Sequence, residues 1–131
     1  MKLSSTSIII KIHLFISVII VVPISLIYGF DLGDFLKLQP NSIDEYNFYK
    51  AISGLYLGFS ALWLIALFKN SYLSTALLSN CIFMFGLAGG RIMSIVFDGN
   101  PSNAYLYGTI GEGILGFYGL WVLNSKYIKN L

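Results

Sequence analysis

The sequence predicts an all-α fold: a four-helix transmembrane bundle with antiparallel, up-and-down topology. Of its 131 residues, 56% are hydrophobic and 11% are charged, and the mean hydropathy is +0.77. A soluble domain needs about 25% charged residues to cover its surface. Four apolar stretches also reach the length of roughly 20 residues that a membrane-crossing helix needs. We therefore expect residues 1–131 to form a single integral membrane domain with the lipid bilayer as its first partner.

Span one is expected at about residues 7–28. It carries Lys11 and His13 near its start and Pro23 near its end, a residue that kinks a helix but is tolerated in packed membrane helices. A cleaved signal peptide is the alternative, because Lys2 and an apolar run resemble its first two regions. The run is long for a signal and no A-x-A-like cleavage site follows, which favours a retained span.

A polar segment at residues 30–47 is expected to be an acidic outer loop with helix breakers. Asn41 and Ser42 precede Asp44 and Glu45, an order that favours a helix start in this region. The charged side chains of the segment are four acids and one base: Asp31, Asp34, Asp44, Glu45 and Lys37.

Spans two, three and four are expected at about residues 48–68, 72–97 and 104–123. A tight connection separates spans two and three. Spans three and four are joined by the turn DGNPS, in which Gly99 can adopt positive φ and Pro101 fixes the next φ.

Lysine placement predicts the orientation, because cytoplasmic loops are enriched in Lys and Arg. Five lysines fall on the side of the termini, against two, Lys37 and Lys50, on the other side. Both termini are therefore expected in the cytoplasm. Trp63 and Trp121 are expected near the inner boundary, where aromatic residues concentrate.

Several function classes are disfavoured by composition. The net charge of +2 and the lack of a dense basic run argue against nucleic acid binding. Cys81 and His13 are each the only residue of their type, so disulfides and the usual zinc, haem or iron–sulfur ligand sets are missing, and no cofactor is expected.

Arg91 and Glu112 are the most informative residues, because charges within a membrane span need a partner or a function. Arg91 lies six residues before the end of span three, about 9 Å deep. Glu112 lies eight residues into span four, about 12 Å deep. The short turn makes these spans antiparallel neighbours, so the sequence predicts an Arg91–Glu112 ion pair.

Ser94 and Asp98 follow Arg91 at i+3 and i+7 and are expected on the same helical face. Lys50, at the outer mouth of span two, is placed to join Asp98 or Glu112. The ligand-binding candidates are therefore Arg91, Glu112, Asp98, Ser94 and Lys50, with hydroxyls available from Tyr46, Tyr49 and Tyr56.

Glycines beside these residues are interpreted as helix-packing positions, since small residues let helices approach closely. Gly108 and Gly116 flank Glu112 at i−4 and i+4, with Tyr105 and Gly119 on the same stripe. Gly90 precedes Arg91. The same interpretation covers Gly54, Gly58 and Gly86.

Two interpretations of the charged pair remain open. It can be a structural clasp that fixes helix register, or part of an outward-facing polar pocket. The first function hypothesis is a non-enzymatic binder of a lipid or small ligand, or a carrier component. The second is an accessory subunit that packs through its glycines against another membrane protein or a second copy. An enzyme is disfavoured because no nucleophile or metal set accompanies the charges.

The motif G-R-x-x-S-x-x-x-D-G-x-P-S, from Gly90 to Ser102, resembles that of a bacterial domain-of-unknown-function family of small four-span membrane proteins. The stretch from Lys50 to Lys69 and Glu112 in a glycine-rich last span extend the similarity. The resemblance implies a multi-pass protein of the bacterial inner (cytoplasmic) membrane, with weight on the charged and turn residues of the motif. This chain departs from the family at Lys50, where Arg is more frequent, and Lys lacks the bidentate fork.

Overall fold

The computed structural model describes residues 5–32 and 34–125. Within those ranges the chain is helical and contains no strand, so the predicted all-α bundle is confirmed. A single turn of 3-10 helix, Asn70–Tyr72, joins the second and third helices. The four helices are α1 (Ser5–Phe30), α2 (Ile43–Phe68), α3 (Leu73–Asp98) and α4 (Asn103–Asn124).

Three of the described helical segments are long and apolar enough to cross a membrane: Ser5–Phe30, Ile43–Phe68 and Asn70–Asp98. The fourth helix, α4, has 22 residues, which corresponds to about 33 Å at a rise of 1.5 Å per residue. It contains five glycines and the charged Glu112, which lower its apolar character. Its passage through the bilayer stays a prediction.

Helix α2 begins at Ile43, several residues before the predicted start of span two. The Ser42 hydroxyl accepts a hydrogen bond from the Glu45 backbone N–H at 3.2 Å, and the Glu45 carboxylate accepts one from the Asn41 N–H. This arrangement is a variant of the capping box, which satisfies N–H groups at a helix start. Counting apolar residues alone misses this start, because the first turn of α2 is exposed and contains Asp44 and Glu45, but the predicted helix start after Asn41 and Ser42 is confirmed.

The helices pack mainly as two pairs, α1 on α2 and α3 on α4. Most of the apolar side chains that are at most 1% exposed gather at one end of the bundle. We call this the closed end: it is where Asn70–Tyr72 joins α2 to α3. The opposite end, which carries residues 31–32, 34–42 and 99–102, is called the open end. The closed-end core consists of Ile10, Leu14, Trp63, Ala66, Leu73, Ala76 and Leu77, each at most 1% exposed.

Trp63 belongs to this core rather than to a lipid-facing aromatic belt. It is fully buried, it donates a hydrogen bond to the Ser79 hydroxyl at 3.0 Å, and its ring meets that of Phe83 at 5.3 Å in a T-shaped contact. Trp121, by contrast, is 62% exposed. Only Trp121 therefore has the exposure that the predicted belt requires.

The segment between α1 and α2 folds against the open end. Leu36 is buried there, with 5% of its surface exposed, and its carbonyl accepts a hydrogen bond from the Tyr105 hydroxyl of α4 at 2.9 Å. The Lys37 N–H donates to the Asp34 carbonyl at 3.2 Å, which closes a turn. The predicted acidic loop is therefore attached to the bundle by a buried leucine, a contact that its charge pattern does not indicate.

Candidate functional site

Arg91 of α3 and Glu112 of α4 form an ion pair. The Arg91 Nε donates to both carboxylate oxygens, at 2.9 Å to Oε2 and 3.2 Å to Oε1. The two side chains are 19% and 14% exposed. Their location within a bilayer stays a prediction, while the contact itself is the one that depth counting along the two helices predicts.

Local sequence brings the two helices into register. Gly99 ends α3 with φ of 104°, a conformation that glycine adopts without steric strain, and the chain returns as α4 after Ser102. One turn beyond Glu112, Gly116 is buried against the Phe85 ring, and a Cβ at Gly116 would lie 3.1 Å from that ring. The missing side chain lets α4 approach α3 closely enough for the pair to form.

The pair uses only part of the guanidinium. Both hydrogen bonds to the Glu112 carboxylate come from the Arg91 Nε and not from the two terminal amino groups. The Arg91 Cζ lies 5.3 Å from the centre of the Tyr105 ring, within the range of a cation–π interaction. Arg91 is thus held on one side by a carboxylate and on another by an aromatic ring.

The other ligand-binding candidates lie apart from this pair. The Ser94 hydroxyl donates to Asp98 at 2.9 Å, and both residues are exposed. The Lys50 ammonium lies 5.4 Å from the Tyr46 ring centre. The structure therefore brings Arg91 and Glu112 together and leaves Ser94, Asp98 and Lys50 outside their contact. A ligand-binding role for any of these residues stays a prediction.

The glycines divide into two groups. A Cβ added at Gly90 or Gly108 would meet nothing within 4 Å, so neither residue is needed for close helix packing within this chain. Both line cavities instead, Gly108 beside Glu112 and Gly90 beside Arg91. Gly116 alone of the two that flank Glu112 has the packing role that the sequence predicts, and Pro101 is half-buried in the turn.

A cavity of about 440 Å³ separates α1 from α4 beside the ion pair. We call it the α1–α4 cleft. Ile20, Val21 and Ile24 line it from α1, and Gly108, Gly111, Glu112 and Leu115 line it from α4, while Arg91 contributes from α3. Ile20 and Ile114, on its edges, are 48% and 63% exposed, so the cleft opens on the side of the bundle.

The α1–α4 cleft is closed at one end by a close approach of the two helices. His13 of α1 is buried, and its Nε2 lies 2.8 Å from the Asn80 Oδ1 of α3. A Cβ at Gly119 of α4 would lie 3.2 Å from His13 Nε2 and 2.6 Å from Cys81 Sγ. The helices therefore meet near Gly119 and separate toward Glu112.

A second cavity, of about 470 Å³, lies on the other side of Arg91. We call it the tyrosine pocket, after Tyr28, Tyr49, Tyr56 and Tyr105, which line it. Tyr28 links the aromatic wall, with ring centres 6.3 Å from Tyr49 and 5.7 Å from Tyr56. Tyr49 and Tyr56 are among the hydroxyl candidates that the sequence indicates, but Tyr28 is not. The sequence feature that could have indicated Tyr28 is its position as an aromatic residue at the end of an apolar span.

Together, these features place the protein among helical bundles whose apolar helices are suited to a membrane. The family model described as a domain of unknown function (DUF4345) matches residues 9–123, which include most of α1 and nearly all of α4. The chain belongs to this family, so the predicted membership of a domain-of-unknown-function family is confirmed. No curated protein and no solved structure matches the chain.

Proposed function

We propose that this protein is a non-enzymatic membrane protein that binds a lipid or small ligand in the α1–α4 cleft, as a binder or as a carrier component. The observation that carries the proposal is the apolar cleft of about 440 Å³ with Arg91 and Glu112 in its wall. Ligand sites are concave, mostly apolar and oriented by a few polar groups. This combination occurs here on one side of the bundle.

The cleft adds an argument that the ion pair alone does not provide. Arg91 and Glu112 satisfy each other, so a structural clasp accounts for both charges without any ligand. A clasp gives no reason for helices α1 and α4 to separate beside it. Close packing is the normal state of a protein interior, so a gap of this size next to a polar pair favours a binding role.

Location in a bacterial inner membrane with both termini in the cytoplasm is part of the proposal. It is supported by the family resemblance and by five lysines against two on the two sides of the predicted spans. With this orientation the open end, the ion pair and the loop that contains Leu36 all lie toward the outer side. A ligand would then enter from the bilayer or from the outer surface.

Filling the cleft tests the proposal. A Cβ at Gly111 meets nothing within 4 Å and Gly111 lines the cleft, so Gly111→Phe should project a ring into it. The purified protein in nanodiscs would be exposed to palmitoyl amphiphiles that carry a diazirine in the chain, and covalent adducts mapped by mass spectrometry. We expect adducts on cleft residues of α1 and α4 in the native protein and at least a tenfold loss in Gly111→Phe.

Gly113→Phe is the matched control. Gly113 is in the same helix, a Cβ there also meets nothing within 4 Å, and the residue does not line the cleft. Its adducts should match those of the native protein. Equal labelling of both variants, or labelling of the native protein spread evenly over lipid-facing residues, would refute binding in the cleft.

An accessory role is the second candidate, and a specific observation favours it. Gly54 and Gly58 of α2 are exposed, have nothing within 4 Å of an added Cβ, and line a groove of about 350 Å³ together with Leu62. Exposed G-x-x-x-G positions are typical of helix association in membranes. The test is the mass of the purified particle in mild detergent. For an accessory subunit or a homo-oligomer, the native particle should be heavier than one chain, and Gly58→Leu should reduce it to the mass of one chain. A native protein with the mass of one chain argues against this role.

A further inference from the structure

We propose that the ligand is an uncharged, single-chain amphiphile whose oxygen-containing head occupies the tyrosine pocket and whose hydrocarbon chain occupies the α1–α4 cleft. The inference rests on the proposed function, because it assigns a ligand class to the same site. It adds the tyrosine pocket as a second part of the site, the orientation of the ligand across the two cavities, and the absence of charge on its head.

The two cavities share one wall. Tyr56, Leu87, Arg91 and Tyr105 line both of them, so a molecule that passes these side chains contacts both spaces. The volumes of about 470 and 440 Å³ each fall in the range of about 300–1,000 Å³ typical of ligand sites. Arg91 stands at the junction, where head and chain of an amphiphile would meet.

The two spaces differ in chemistry. The tyrosine pocket has phenol groups from three helices, α1, α2 and α4, along its wall, and a phenol hydroxyl both donates and accepts hydrogen bonds. Beyond its ion pair, the α1–α4 cleft is lined mainly by aliphatic side chains and glycines, among them Ile24, Leu115 and Gly111. Its phenols are those of Tyr56 and Tyr105 on the shared wall, together with Tyr107. An oxygen-rich head therefore fits the pocket and a hydrocarbon chain fits the cleft.

Charge balance indicates an uncharged head. The charged residues that line the two cavities are Arg91 and Glu112, and they neutralise each other at 2.9 Å. A charged head would add a third charge with no counter-charge among the residues that line either space. Burying an unpaired charge is unfavourable, whereas hydroxyl, ester or carbonyl oxygens can accept hydrogen bonds from Arg91 and the phenols without disturbing the pair.

Head-group competition tests this assignment. The photoactivatable palmitoyl probe would be displaced in nanodiscs by three unlabelled competitors at matched mole fraction in the bilayer: monopalmitoylglycerol, palmitate and palmitoylcholine. We expect monopalmitoylglycerol to halve cleft labelling at a mole fraction at least tenfold lower than either charged competitor. Equal competition by all three, or stronger competition by palmitate or palmitoylcholine, would overturn the uncharged head while leaving binding in the cleft intact.

Removing a pocket hydroxyl gives a second measurement. Tyr49 lines the tyrosine pocket but not the cleft, so Tyr49→Phe should weaken competition by monopalmitoylglycerol roughly fivefold, the loss of about one hydrogen bond. Competition by palmitoylcholine should not change. Tyr46→Phe, on the same helix and outside both cavities, is the control and should behave as the native protein.

The failures of the two proposals are distinguishable. Cleft labelling that is insensitive to head group and to Tyr49→Phe refutes the head in the tyrosine pocket and leaves the proposed function standing. A lack of specific cleft labelling with every probe refutes the proposed function and this inference with it. Because Tyr→Phe removes one oxygen from a half-buried ring, the circular dichroism spectrum is sufficient to verify that the variant is folded.

Discussion

Neutralising Glu112 is the most direct test of what the ion pair contributes to stability. Breaking a buried pair by removing one partner costs about 3–5 kcal/mol, because the remaining charge is left without a partner. Here the two side chains are 19% and 14% exposed, and a Gln at position 112 can still accept a hydrogen bond from Arg91 Nε. Both facts reduce the effect, so we expect Glu112→Gln to lower the free energy of unfolding by about 2–3 kcal/mol.

The double variant Arg91→Met with Glu112→Leu separates the pair from its individual charges. Replacing a buried ion pair by apolar residues of similar volume is often neutral or stabilising, so the double variant should lie within about 1 kcal/mol of the native protein. The charge-exchanged protein, Arg91→Glu with Glu112→Arg, should recover part of the loss seen in either single change. A clear coupling energy between the two positions is expected.

Reversible unfolding in mixed micelles of increasing dodecyl sulfate content, followed by circular dichroism, measures these free energies. Asp98→Asn is the control, because Asp98 is exposed and contacts Ser94, and surface substitutions usually change stability by less than about 0.5 kcal/mol. If Glu112→Gln is as stable as Asp98→Asn and the double variant shows no coupling, the pair is not a clasp and the reasoning from burial is wrong.

Two further contacts have measurable consequences. Tyr105→Phe removes the hydrogen bond to the Leu36 carbonyl. Amide hydrogen exchange in the loop around Leu36 should therefore accelerate several-fold, while exchange at the closed end is unchanged. If the loop exchanges at the same rate in the variant and the native protein, this bond does not hold the loop. Gly119→Ala places a Cβ 2.6 Å from Cys81 Sγ, so it should lower the free energy of unfolding by about 1–3 kcal/mol. Adding Cys81→Ala to this variant removes the sulfur and should restore most of the lost stability. Gly113→Ala, with nothing within 4 Å of its Cβ, is the control and should be neutral or stabilising, and a similar loss there would contradict the packing argument.

The contact between Arg91 and Glu112 is predictable from the sequence because it depends on two fixed quantities. The helical rise sets the depth of each residue, and a short turn forces neighbouring helices to run antiparallel. The same counting puts Ser94 and Asp98 on one face with Arg91. Sharing a face does not say which neighbour covers it, and Ser94 and Asp98 lie where α3 is exposed and satisfy each other.

The cavities are not predictable in this way. The separation of α1 from α4 depends on where the two helices meet, near Gly119, and on the loop held by the Tyr105 hydroxyl bond to Leu36, a contact between residues 69 apart in the chain. Such non-local contacts leave no periodic signal in a single sequence. The early start of α2 is invisible in the apolar pattern, because its first turn is defined by the Ser42 cap. The order of Asn41 and Ser42 before Asp44 and Glu45 does predict it, and the structure confirms that prediction.

The uneven packing along the bundle has a consequence for how the protein opens. Local opening requires least free energy where few apolar contacts must be broken. The closed end holds seven apolar side chains that are each at most 1% exposed, so it should act as the most cooperative unit of the fold. The open end can then open locally while the remainder of the chain stays folded, and the proposed binding in the α1–α4 cleft would require only this local opening.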